Sequence, residues 1–139
     1  MTNNFSNNDL YLKTTGPITS SNPVAGVGYT ADASGGAVTQ ISSRATSVTC
    51  NGMTGEITVY SATQAAADTV AIIVNNTSVK TGDIIIVNHT SGGTIGAYAF
   101  TGNTIIDGAS FIINITNISG GALTESPVLA FAIVRAPRS

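Results

Sequence analysis

From residue 37 to residue 134, apolar and polar positions mostly alternate with a period of two. The pattern is clearest at 69–75 (TVAIIVN) and 128–134 (VLAFAIV). In the first, Val70, Ile72 and Val74 fall on one side and Ala71 and Ile73 on the other. In the second, Leu129, Phe131 and Ile133 alternate with small alanines. A period of two sends successive side chains to opposite faces of a strand. Further strands are expected at 37–41, 44–50, 54–60, 84–88, 95–101, 104–106 and 109–117. Because 69–75 is apolar on both faces, it is expected to be covered on both sides.

The stretch 84–121 says nearly the same thing twice. IIIVNHTSGG (84–93) aligns without a gap to IINITNISGG (112–121), so that Ile85 meets Ile113 and Val87 meets Ile115. Each copy is a β-branched run suited to a pleated, half-buried surface, stopped by a glycine pair that allows φ > 0. Two copies fall short of the three or more expected of a solenoid. Asn51-Gly52 reads as a two-residue hairpin joining 44–50 to 54–60. Gly102-Asn103 reads as a turn, and 31–36 (ADASGG) as a turn-rich hinge. The segment 61–68 (SATQAAAD) is the one helix-compatible stretch, expected as a single turn that Ser61 could cap, with a tight loop as the alternative. Many short strands separated by turn signals predict an all-β fold, a β-sandwich or jelly-roll-like barrel.

Residues 1–30 break this pattern. Asn, Ser, Thr, Gly and Pro dominate, punctuated by single apolar residues including Phe5, Leu10, Tyr11, Leu12 and Ile18. Pro17 and Pro23 favour extended geometry. The division expected is therefore an extended N-terminal arm over 1–30 and a β-sandwich domain over 31–139. Phe5, Leu10, Tyr11, Leu12 and Ile18 would fill shallow pockets on another surface.

Composition narrows the function classes. One domain is the natural reading of 139 residues. Only 9% of residues are charged, against about 25% in ordinary globular chains. Uncharged polar residues fill the gap, which suits a rigid β protein that meets other proteins. The net charge of −2 gives no electrostatic footprint for nucleic acid. No run approaches the ~20 apolar residues of a membrane-spanning helix. The start of the chain lacks the basic and apolar regions of a signal peptide, so synthesis and folding in a cytoplasm are expected. Cys50 has no second cysteine to pair with, and His89 is the single histidine, so neither a disulfide framework nor a zinc site is expected. No cofactor motif is present: the glycine pairs precede no Lys-Ser or Lys-Thr and open no helix. His89 beside Thr90-Ser91-Gly92-Gly93 reads as a turn-flanking histidine bonding to backbone, and no nucleophile elbow accompanies it. The several Asn-x-Ser/Thr triplets, including those at Asn76, Asn88 and Asn117, are what a chain so rich in Asn, Ser and Thr produces by chance.

Gly26-Val-Gly-Tyr29, Gly35-Gly-Ala-Val-Thr-Gln40, Ser43, Thr49, Gly55-Glu-Ile-Thr58, Val87-Asn-His89, Ser91-Gly-Gly-Thr94, Gly96-Ala-Tyr98 and Thr116-Asn-Ile-Ser-Gly-Gly121 lie in order along the chain. Together they resemble a small β domain of tailed-bacteriophage virions, found in capsid decoration (cement) proteins and as a terminal module of head or tail fibres. The resemblance covers about residues 26–135. It implies a homotrimer on the head surface of the virion, with an arm clamping the major capsid protein, and no enzymatic activity. The arm itself matches no motif. The alternative implied is a fibre module binding a receptor or glycan through exposed tyrosines.

Overall fold

The computed structural model describes residues 21, 23, 24 and 26–136. Among these residues the regular structure is all-β, apart from one 3-10 turn at Ala31–Ala33. Its strands are β1 (Ser34–Thr39), β2 (Val48–Thr49), β3 (Thr54–Thr58), β4 (Ala62–Gln64), β5 (Thr69–Asn75), β6 (Ile84–Ser91), β7 (Tyr98–Ile106), β8 (Ser110–Asn117), β9 (Leu123–Glu125) and β10 (Val128–Val134). Sheet I has the order β1-β3-β10-β6 and sheet II the order β2-β5-β8-β7, with a short β4-β9 ribbon beside them. In each sheet the first pair is parallel and the next two are antiparallel.

Alternation places the core. Leu129, Phe131 and Ile133 of β10 and Ile57 of β3 are buried from sheet I; Ile72 and Val74 of β5 and Phe111, Ile113 and Ile115 of β8 are buried from sheet II. The Phe111 and Phe131 rings meet edge to face across the two sheets, with centroids 5.1 Å apart, a favoured aromatic geometry. Each fully buried side chain of this size stabilises by roughly 1.5–3 kcal/mol. Two glycines make the packing possible. A Cβ on Gly55 would lie 2.3 Å from the Cys50 sulfur and 2.8 Å from the Phe131 ring, its cross-strand partner. A Cβ on Gly102 would lie 2.5 Å from the Ile85 Cβ, so β6 and β7 close one side of the sandwich only because Gly102 has no side chain.

The core is closed at both ends by buried amides. Asn76, at the end of β5, donates to the carbonyls of Cys50 (2.7 Å) and Gly52 (2.8 Å) and accepts from the amides of Ser78 (2.8 Å) and Val79 (3.0 Å). Asn117, at the end of β8, donates to Gln64 O and Gly121 O, both at 2.9 Å, and accepts from the Ser119 amide at 2.9 Å. Both side chains are wholly buried. Their triplets are turn staples, which is the physical reason Asn is needed there.

Strands β5 and β10 fall where alternation places them, and several local expectations do not hold. Asn51-Gly52 is not a hairpin: β2 pairs with β5 in sheet II while β3 lies in sheet I, so the dipeptide carries the chain between sheets. The Asn51 side chain instead accepts from the Thr77 amide at 3.0 Å. The strand expected over 44–50 shrinks to Val48–Thr49. The expected hinge at 31–36 is a docked segment: the Met53 amide donates to Ala33 O at 2.7 Å, and Ser34 onward pairs with β3. The helix-compatible 61–68 is strand β4 followed by a turn in which Ala67 takes φ 61°, so Ser61 caps nothing. Gly102-Asn103 is not a turn but the middle of β7, which absorbs the short strand expected at 104–106.

The internal repeat spans two sheets. Its first copy is edge strand β6 and its second is central strand β8, and the phase is kept: Ile85 and Val87 turn inward as Ile113 and Ile115 do. His89 and Asn117 occupy equivalent places and hold equivalent turns. Only the first glycine pair uses the left-handed region, at φ 63° and 61°.

Candidate assembly surfaces

Sheet II turns outward a face without a formal charge. Its rows, read from the strand register, are Thr69–Thr116–Ala99, Ala71–Asn114–Thr101, Ile73–Ile112–Asn103 and Thr49–Asn75–Ser110. Thr69 and Thr116 share a hydroxyl hydrogen bond of 2.8 Å. Ile73, in the middle of the face, is 44% exposed. The coverage expected for the outer side of 69–75 is therefore not provided by the described residues. Ordinary soluble surfaces carry ~25–35% charged residues with both signs interspersed, so a four-stranded face with none is suited to contact rather than to water.

Sheet I turns outward a more apolar strip. Ile84 and Ile86 of β6 are 57% and 54% exposed and stand beside Val134 and Ala132 of β10 in register. Ala130 and Val128 continue the strip along β10. Glu56, paired with Ala130, is the one charged side chain among the described outward positions of these strands. The segment before the domain is fastened at the end of this strip. The Tyr29 hydroxyl donates to the Ile133 carbonyl, and the Ile133 amide donates to Met53 O at 2.7 Å. Arg135 closes the same corner by donating to Asp83 at 2.8 Å and to Ser78 O at 3.1 Å.

The opposite end of the sandwich holds the polar side chains that could have suggested chemistry, and they are committed to structure. Arg44 is 4% exposed; its guanidinium donates to Tyr60 O (3.1 Å), Glu125 O (2.7 Å) and the Gln64 side chain. It also lies 5.8 Å from the Tyr98 ring centroid, a cation–π distance. Glu125 accepts from the Thr94 hydroxyl (2.6 Å), the Thr94 amide (2.9 Å) and the Tyr98 hydroxyl (3.1 Å). The Thr94 hydroxyl bond, then the Thr94 amide bond, hold its carboxyl below the usual range, with Tyr98 and the Arg44 charge adding to the effect. Burial pushes the Tyr98 phenol up, against the opposing pull of Arg44.

His89 behaves as the sequence suggests. Its Nε2 shares a 2.6 Å hydrogen bond with Gly92 O, and its ring faces Tyr98 and Phe100 edge-on. Among the described residues no group of three His, Cys, Asp or Glu side chains is placed to hold a metal. No helix among them is long and apolar enough to cross a membrane. A depression of about 360 Å³ lies between Ala66–Ala67 and Thr116–Ser119, and no titratable side chain lines it. The tyrosines expected of a glycan platform are partly engaged: Tyr98 is buried and Tyr29 is bonded to Ile133 O.

The predicted contact residues Phe5, Leu10, Tyr11, Leu12 and Ile18 lie outside the described residues. Sequence reasoning missed the outward face of sheet II and the Ile84–Ile86–Val134 strip. A signal existed in the unbroken Ile84-Ile85-Ile86 run, which leaves an apolar residue on each face of β6. Arg44, alone among Ser, Ala and Thr, gave none. Comparison of the chain with models of known families, with curated proteins and with solved structures found no match.

Proposed function

We propose that the protein is a non-enzymatic virion component, a capsid decoration (cement) protein of a tailed phage. In this reading the β domain self-associates as a homotrimer on the head surface. The arm at 1–30 ties neighbouring major capsid proteins together. The observation that carries the reading is the uncharged outward face of sheet II, with Ile73 exposed at its middle. A charge-free face can be covered by a neighbouring copy without burying an unpaired charge of its own, which would be costly. The order of short motifs along 26–121 supports the virion setting.

Each part has a division of labour. The glycine-cornered sandwich supplies rigidity, since its polar side chains are spent on closing its ends. The apolar residues of the arm supply grip, because a few buried anchors dominate most interfaces. Three arms on one trimer add avidity through effective concentration, without any new kind of contact.

The test uses full-length chain in which Leu10, Tyr11 and Leu12 are all replaced by serine. It is mixed with assembled undecorated shells, and bound protein is counted after sedimentation. Loss of anchors worth about 2 kcal/mol or more lowers affinity by at least ~30-fold, while the oligomer mass is unchanged. Occupancy equal to that of the parent chain would remove the arm from this role. Binding confined to tails on intact particles would favour the fibre-module alternative.

A further inference from the structure

We propose that, before assembly, the leading segment 1–20 packs on the outward apolar strip of sheet I of its own chain, over Ile84, Ile86, Ala132 and Val134. The inference stands on the geometry of sheet I and does not depend on the decoration reading.

Three observations converge on this occupant. The first is the strip itself. Two isoleucines more than half exposed, beside Val134 at 40%, form a contiguous apolar surface on adjacent strands. Such patches in soluble proteins generally mark a contact.

The second is where the leader arrives. The Tyr29 hydroxyl is bonded to the Ile133 carbonyl, and Ile133 is in register with Ile85. The chain therefore reaches the domain at the end of sheet I that carries Ile84 and Val134. Leu12 precedes Tyr29 by 17 positions, a span of up to ~55 Å when extended. Strand β6 has 8 residues, about 27 Å of length. The leader can thus cross the whole strip of its own chain.

The third is chemical match. Leu10, Tyr11 and Leu12 are consecutive apolar residues, followed at once by Lys13. The strip is bordered by Glu56, the one carboxylate among its described outward neighbours. An apolar triplet on the strip with a cation beside Glu56 satisfies both.

The experiment is disulfide trapping in the full-length chain at submicromolar concentration, with oxidised glutathione as oxidant and no shell present. Leu12→Cys is combined with Ile86→Cys in one variant and with Thr101→Cys, on the outward face of sheet II, in another. The native Cys50 is 1% exposed and stays out of the reaction. The expected result is a disulfide within one chain, forming at least ~10-fold faster with Ile86→Cys than with Thr101→Cys, as a higher effective concentration requires. A second pair, Leu10→Cys with Val134→Cys, gives the same preference if the first variant folds poorly. Equal rates at the two faces would overturn the proposal. So would a covalent dimer as the main product, because the leader would then sit on a neighbouring copy.

Discussion

Replacing Asn76 by alanine removes four hydrogen bonds at once. Its amide donates to Cys50 O and Gly52 O, and its oxygen accepts from the Ser78 and Val79 amides, all within 3.0 Å. The side chain is wholly buried, so water does not readily replace it. At about 1 kcal/mol net per bond, the loss is about 4 kcal/mol, and backbone groups left unpaired push it higher. That is a large share of the 5–15 kcal/mol typical of whole domains. Urea unfolding followed by circular dichroism measures it, at fixed protein concentration because association adds apparent stability. The midpoint falls with little change in slope, and the melting temperature drops by roughly 15 °C. Asn117→Ala behaves similarly, whereas Asn88→Ala, at an exposed position, stays within about 0.5 kcal/mol of the parent. A loss below 1 kcal/mol for Asn76→Ala would refute the staple reasoning, as would equal losses at Asn76 and Asn88.

Gly55→Ala places a methyl group against the Cys50 sulfur and the Phe131 ring. Overpacking of this kind costs about 1–3 kcal/mol, and a chemical denaturation curve matching the parent would show that the core yields freely. The Cys50 thiol is 1% exposed and its pKa is raised by burial; an aromatic disulfide reagent therefore labels it only after urea is added, and rapid labelling of native protein would contradict that burial. Glu125 has a folded-state pKa below its unfolded value. Its stabilising contribution is thus present above the unfolded pKa of about 4.3 and is lost as pH falls through the folded value. Glu125→Gln flattens the acid side of the stability profile, and an unchanged slope there would remove the Thr94 contacts as its cause.

Where the pattern of residues is set by burial, the fold was legible. Strands β5 and β10 carry alternation strong enough that their limits follow from it, and the aligned pairs of the internal repeat keep one phase, Ile85 and Val87 turning inward as Ile113 and Ile115 do. Local turn signals were less dependable, because distant partners decided them. Asn51-Gly52 has the chemistry of a hairpin, yet Asn51 is held by Thr77 and Gly52 by Asn76, so the chain crosses between sheets. Gly102 looked like a corner, but it is the flat spot on which Ile85 rests. Ala65–Ala67 looked helical, but the Ala67 amide is drawn to Asn117 O at 2.8 Å. The outward faces were the least visible. Thr, Asn and Ala at alternate positions read as ordinary solvent-facing residues until register lines them up across four strands. Only then does the lack of charge become a property of a surface.

The most direct measurement is the mass of the full-length chain in solution by sedimentation equilibrium at micromolar concentration. The proposed homotrimer, associating through the uncharged face of sheet II, would sediment at three times the 14.0 kDa chain mass. It also predicts that Ile73→Glu, which puts a carboxylate in the middle of that face, returns the mass to a single chain while strand content is retained. A parent protein that sediments at 14.0 kDa under these conditions, or an unaltered oligomer carrying Ile73→Glu, would contradict it.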